Sequence, residues 1–115
     1  MRKILIAVGA FALSTSLAFA DDVMATRYGN TTITTDASGV QTKLYYSADG
    51  TFTGDQSGQK FGGTWKLDGS GNICLTFSQP VQGAANPTCV PITAHKVGDT
   101  WSAGGRTISL VQGIQ

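Results

Sequence analysis

Between residues 31 and 111 short β-prone runs alternate with glycine-rich turns. Val40, Leu44 and Tyr46 alternate with Gln41, Lys43 and Tyr45, the two-residue period of a strand with one face on a core. Asp49-Gly50 follows and Thr51-Phe52-Thr53 returns. Asp-Gly between two such runs signals a hairpin, because glycine accepts the positive φ that a tight turn demands. The same texture predicts strands over 31–35, 61–67, 72–77, 88–93, 100–103 and 107–111. They are separated by Asp68-Gly69-Ser70-Gly71, by a polar loop holding Pro80, Gly83 and Asn86-Pro87, and by Gly104-Gly105. Residues 21–30 have no clear period and read as an N-terminal arm or a weak turn of helix.

About eight short strands spaced by turns predict an all-β fold. The expected architecture is a small antiparallel meander closing into a lipocalin-like barrel or a flattened sandwich. One hairpin type occurs twice, as Gly63-Thr64-Trp65-Lys66-Leu67-Asp68-Gly69 and Asp99-Thr100-Trp101-Ser102-Ala103-Gly104-Gly105. Two copies are too few for a solenoid. The runs are also shorter than the roughly 9–11 residues an outer-membrane strand needs.

The first twenty residues follow a different rule. Met1-Arg2-Lys3 precedes an apolar run over 4–13, then Ser14-Thr15-Ser16 and finally Ala18-Phe19-Ala20. This is the order of a secretory signal, with the small residues its peptidase requires at Ala18 and Ala20. Residues 1–20 are therefore expected to be cleaved, leaving 21–115 as a single β domain, periplasmic or secreted. The apolar run is too short to span a bilayer, so no membrane span is expected after cleavage. Arg2-Lys3 opens no twin-arginine pattern, and Asp21 stands where a lipoprotein would carry cysteine.

Loss of Arg2 and Lys3 leaves six basic side chains against seven aspartates, with no glutamate. No basic run is interleaved with aromatics, which removes the electrostatic footprint of nucleic-acid binding. Cys74 and Cys89 are the two cysteines, and an oxidising compartment predicts a bridge between them. Strand parity agrees. Ile73, Leu75 and Phe77 share one face and Cys74 takes the other; Val90 and Ile92 share one face and Cys89 takes the other. Closing that loop is worth about 3 kcal/mol in the chain-entropy model.

Candidate chemistry is sparse. His95 is the single histidine and has no serine or cysteine placed in sequence for it to activate, so it reads as a hydrogen-bonded or exposed loop residue. Most of the aspartates sit beside turn glycines, where a carboxylate accepts local backbone N–H groups. Neither Asp49 with Asp55 nor Asp68 with Asn72 supplies a calcium register, and no metal or cofactor is expected. Gly69-Ser70-Gly71 lacks the Gly-Lys-Ser/Thr sequel of a phosphate loop. The aromatics remain. Tyr45 and Tyr46 are adjacent and must face opposite ways, so one points outward. With Trp65 and Trp101, which are expected mainly in the core, they are the candidate ligand-facing residues.

The segments Tyr45-Tyr46-Ser47-Ala48-Asp49-Gly50-Thr51-Phe52-Thr53-Gly54, Gly63-Thr64-Trp65, Cys74-Leu75-Thr76, Pro87-Thr88-Cys89 and His95-Lys96-Val97-Gly98-Asp99-Thr100-Trp101 resemble a group of small exported proteins of alphaproteobacteria. That resemblance implies a periplasmic β fold and no particular activity. Gly63-Thr64-Trp65-Lys66-Leu67 followed by Cys74-Leu75 is similar, more weakly, to the bacterial inhibitors of secreted metalloproteases, small barrels with one disulfide and a free N-terminal arm. Their other cysteine lies upstream, whereas Cys89 lies downstream of Cys74. Three functions are thus expected in turn. The first is a non-enzymatic binding or accessory module for a periplasmic protein or a small apolar ligand. The second is an inhibitor of an exported hydrolase acting through residues 21–30. The third is a small hydrolase using paired aspartates.

Overall fold

The structure is a computed structural model that describes residues 22–81, 83 and 85–115. The expected signal segment, residues 1–20, lies outside the described residues. One helical turn, α1 (Asp22–Ala25), leads into eight strands: β1 (Thr31–Thr35), β2 (Gln41–Tyr46), β3 (Thr51–Gln56), β4 (Gln59–Leu67), β5 (Asn72–Phe77), β6 (Thr88–Pro91), β7 (Thr100–Ala103) and β8 (Arg106–Val111). They form one antiparallel sheet in the order β6-β5-β4-β3-β2-β1-β8-β7, a meander curled into a nearly closed barrel. No helix among the described residues is long and apolar enough to cross a membrane.

The strands follow the sequence pattern, with two differences. The β3–β4 hairpin is longer than the pattern predicts because Ser57 and Gly58 take φ of 53° and 85° and turn the chain in two residues. A tight hairpin turn needs positive φ at both central positions. At the other end, β6 stops at Pro91, short of Thr93. Proline has no N–H for the ladder, and the Ile92 amide instead donates to the Gly71 carbonyl at 2.9 Å.

Register decides what lies inside. Tyr46, Phe52, Gly63 and Phe77 are aligned across β2 to β5, as are Leu44, Gly54 and Phe61 across β2 to β4. Phe52, Phe61 and Phe77 meet edge to face, with centroids 5.8–6.4 Å apart. The two glycines make this possible. A Cβ on Gly54 would lie 2.4 Å from the Phe61 ring, and one on Gly63 would lie 1.9 Å from the Thr76 carbonyl oxygen. Met24 from α1 joins Tyr46, Phe52, Ile73 and Leu75 in the buried core and plugs one end of the barrel. Lys66, Cys74 and Cys89 are aligned across β4, β5 and β6 on the opposite, outward face. Cys74 and Cys89 are bridged there, as strand parity predicts.

Candidate functional site

The Phe52, Phe61 and Phe77 rings pack together in the interior, and the barrel fails to close along one seam. Strands β6 and β7 each pair on one side only. Residues 92–99 cross between them at the end plugged by α1. The Leu110 amide donates to the Asp99 carbonyl, and the Gly98 amide donates to the Leu110 carbonyl. The backbone of Leu110 therefore faces β7, and by antiparallel alternation so does that of Ile108, register partner of Trp101. The amides and carbonyls of Thr100 and Ser102 then point to the free edge. Neither charge nor proline interrupts β7, the usual protections of an exposed edge.

The crossing segment is pinned from within by residues 22–30. Thr26 donates its hydroxyl to the His95 carbonyl at 2.6 Å. Arg27, only 3% exposed, donates to the carbonyls of Thr93, at 3.0 Å, and Val23. Its guanidinium also sits 5.8 Å from the Trp101 ring centroid. Among the described residues Arg27 has no carboxylate partner. Burial pushes its pKa below the usual arginine value, while the Coulombic effect of Tyr46 opposes that shift. Arg27 is the residue that sequence reasoning missed. The spacing of Val23 with Arg27, and of Met24 with Tyr28, carried a one-turn helical signal that the absence of a longer period obscured.

His95 lies flat against Trp101, with centroids 3.4 Å apart and planes within 7°. Its Nε2 meets the Thr93 hydroxyl at 2.8 Å and its Nδ1 the Asp99 carboxylate at 3.4 Å. The Lys96 amide donates to the same carboxylate and, with His95, holds Asp99 below the usual carboxylate range. The serine or cysteine sought beside His95 is thus replaced by a threonine two residues back and an aspartate four residues on. The cluster braces the crossing loop and Trp101.

The four candidate aromatics are dispersed. Tyr46 is a core residue whose phenol burial pushes up to about 12. Tyr45 faces out, and its hydroxyl donates to the terminal Gln115 carbonyl at 3.4 Å. Trp65 packs half-buried on the core and donates its indole N–H to the Ser47 carbonyl at 2.8 Å. Trp101 is half-buried beside the seam, the one of the four that borders an unpaired edge. Val90 on β6 and Val97 in the crossing loop are 39% and 41% exposed.

Five of the described aspartates serve turns. Asp36, Asp49, Asp55, Asp68 and Asp99 each accept a backbone N–H within their own turn. Among the described residues no group of three or more His, Cys, Asp or Glu side chains is placed to hold a metal ion. Comparison with protein-family models, curated proteins and solved structures returned no match.

Proposed function

We propose that the protein is an exported, non-enzymatic binding module that takes up an extended segment of a partner protein along the seam between β6 and β7. The observation that carries this reading is the sheet order, which ends on two unpaired edges, one of them uncharged and free of proline. An added strand gains main-chain hydrogen bonds from such an edge and specificity from side chains beside it, here Trp101 and Val90. The Phe52, Phe61 and Phe77 rings occupy the interior, which favours the edge over a small apolar ligand inside the barrel. Inhibition through residues 21–30 gains less support, because Met24 and Arg27 of that segment are buried and tied to the crossing loop.

A photo-crosslinking residue at Ser102, compared with one at outward-facing Thr53, tests this in envelope extract. The expected adduct forms from position 102 alone and disappears when Trp101→Ala is added. Equal crosslinking from position 53, or none from 102, overturns the reading.

A further inference from the structure

Strand β6 is joined to the barrel by a short ladder and a sulfur–sulfur link. The Ile92 amide donates to the Gly71 carbonyl. By antiparallel alternation the hydrogen-bonded pairs between β5 and β6 are therefore Ile73 with Val90 and Leu75 with Thr88. Cys74 and Cys89 fall between them as a pair without cross-strand hydrogen bonds, and the disulfide takes that place. On the other side of β5 the Asp68 amide donates to the Asn72 carbonyl, which turns the amides of Cys74 and Thr76 toward β4. Little else fastens β6. Among the described residues of 78–91 all but Val81 and Thr88 are exposed, so the segment buries little apolar surface. The Asn86 side chain adds an exposed clasp on the Phe77 amide and carbonyl, at 2.9 and 3.3 Å. Both ends of the segment are anchored. Ser78 donates its amide and hydroxyl to the Gly62 carbonyl, Ile92 packs on the core, and Arg27 holds the Thr93 carbonyl.

We propose that Cys74–Cys89 is a redox latch on β6, so that its reduction by a dithiol frees residues 79–91 while the rest of the barrel stays folded. Cys89 is exposed on the edge strand, where a dithiol reaches the bridge from solvent. One thiolate of the reductant bonds to one of the two sulfurs, the Cys74–Cys89 bond breaks, and its electron pair leaves on the other cysteine, which water protonates. The reductant's second thiolate then attacks the reductant sulfur of the mixed disulfide and releases the remaining cysteine, which is protonated in turn. The dithiol is oxidised to its disulfide, and the protein disulfide is reduced to two thiols. Attack at either cysteine gives the same products. The ladder that remains lies at a solvent-exposed edge with little burial behind it, the kind of unit that opens ahead of a core. Its release frees the edge of β5 beside Ile73 and Leu75 and widens the seam, whether or not a segment occupies it.

Dithiothreitol is the probe. The folded protein, expressed from the full chain with its disulfide formed, is followed by residue-resolved amide hydrogen exchange before and after reduction, in buffer without denaturant. On reduction the amides of Ile73, Leu75 and Val90 should exchange roughly tenfold faster or more. Those of Cys74 and Thr76, on the same strand but bonded to β4, should keep their protection. Cys74→Ser combined with Cys89→Ser should show the same alternation along β5 without reductant, and reoxidation of the parent should restore the slow amides. Loss of protection at Cys74 and Thr76 as well would mean that the core opens with the strand. Unchanged protection at Ile73 and Leu75 would mean that β6 stays paired without the bridge. Either result overturns the proposal, as does a bridge that is reduced only in denaturant.

Discussion

Arg27 donates to the carbonyl of Thr93, 66 residues away in sequence, and this bond fastens the N-terminal plug to the loop that spans the open seam. A buried cation whose partners are two carbonyls and an indole face is costly to desolvate and costly to remove. Arg27→Ala would strand the Thr93 and Val23 carbonyls and withdraw the cation from Trp101. A loss of about 2–3 kcal/mol is expected in urea unfolding followed by tryptophan fluorescence. Arg27→Lys should recover part of it, because one ammonium lacks the planar fork that serves both carbonyls. Equal stability of Arg27→Ala and the parent would mean that Met24 and the Thr26–His95 bond hold the plug without Arg27.

Gly54 and Phe61 are a matched pair, directly opposed on β3 and β4, with the ring lying over the missing side chain. Gly54→Ala should therefore cost about 1–3 kcal/mol through overpacking. The double change Gly54→Ala with Phe61→Leu should cost less than the two single changes summed, since a smaller side chain gives the methyl room. Additive losses in denaturant titrations would show that the ring moves aside freely.

Much of this fold was legible before any coordinates. Cys74 and Cys89 have opposite parity to their apolar neighbours, and that alone placed both sulfurs on one outward face. Tyr45 and Tyr46 divide between outside and core for the same two-residue reason. Closure was not legible. Nothing in 106–111 announces that β8 pairs with β1, a contact across the full length of the domain, because strand pairing depends on long-range register rather than local period. The seam was hidden for the same reason. His95 was visible as a lone titratable residue, but its partners Thr93, Asp99 and Trp101 acquire meaning only once the crossing loop folds back on itself. The weak turn of helix read in 21–30 did not single out Arg27, since a lone basic residue in such a segment ordinarily reads as solvated.

Acid should act on the turns. Asp36, Asp49, Asp55, Asp68 and Asp99 all have carboxyl groups held below the usual range, the first two chiefly by the hydroxyls of Ser38 and Thr51, Asp55 by Lys60, Asp68 by Asn72 and Asp99 by the Lys96 amide. A depressed folded-state pKa contributes stability above the unfolded value of about 3.9, and that contribution is lost as pH falls through the folded value. Stability should accordingly be level from neutrality to about pH 5 and decline below about pH 4. Asp68→Asn should flatten part of that decline. Urea midpoints that hold constant through the acid range would remove the turn carboxylates as the cause.

The alkaline limb belongs largely to Tyr46. Its phenol is enclosed among Met24, Phe52 and their neighbours, and burial raises its pKa to about 12, with Arg27 pulling in the other direction. The neutral form is the one the core accepts. Below the unfolded value of about 10 both states are neutral and the contribution is complete; above it the unfolded chain ionises first, and stability drains away until the folded pKa is reached. Tyr46→Phe removes the ionisation while keeping the ring, so its stability should fall less over that window than the parent's, the remainder including the exposed Lys60, whose pKa Asp55 raises. Tyrosinate absorbance gives an independent check, because Tyr46 in the folded protein should ionise only near pH 12. Ionisation of Tyr46 at the ordinary phenol value in the folded protein would mean that water reaches the core beside Met24 and Arg27.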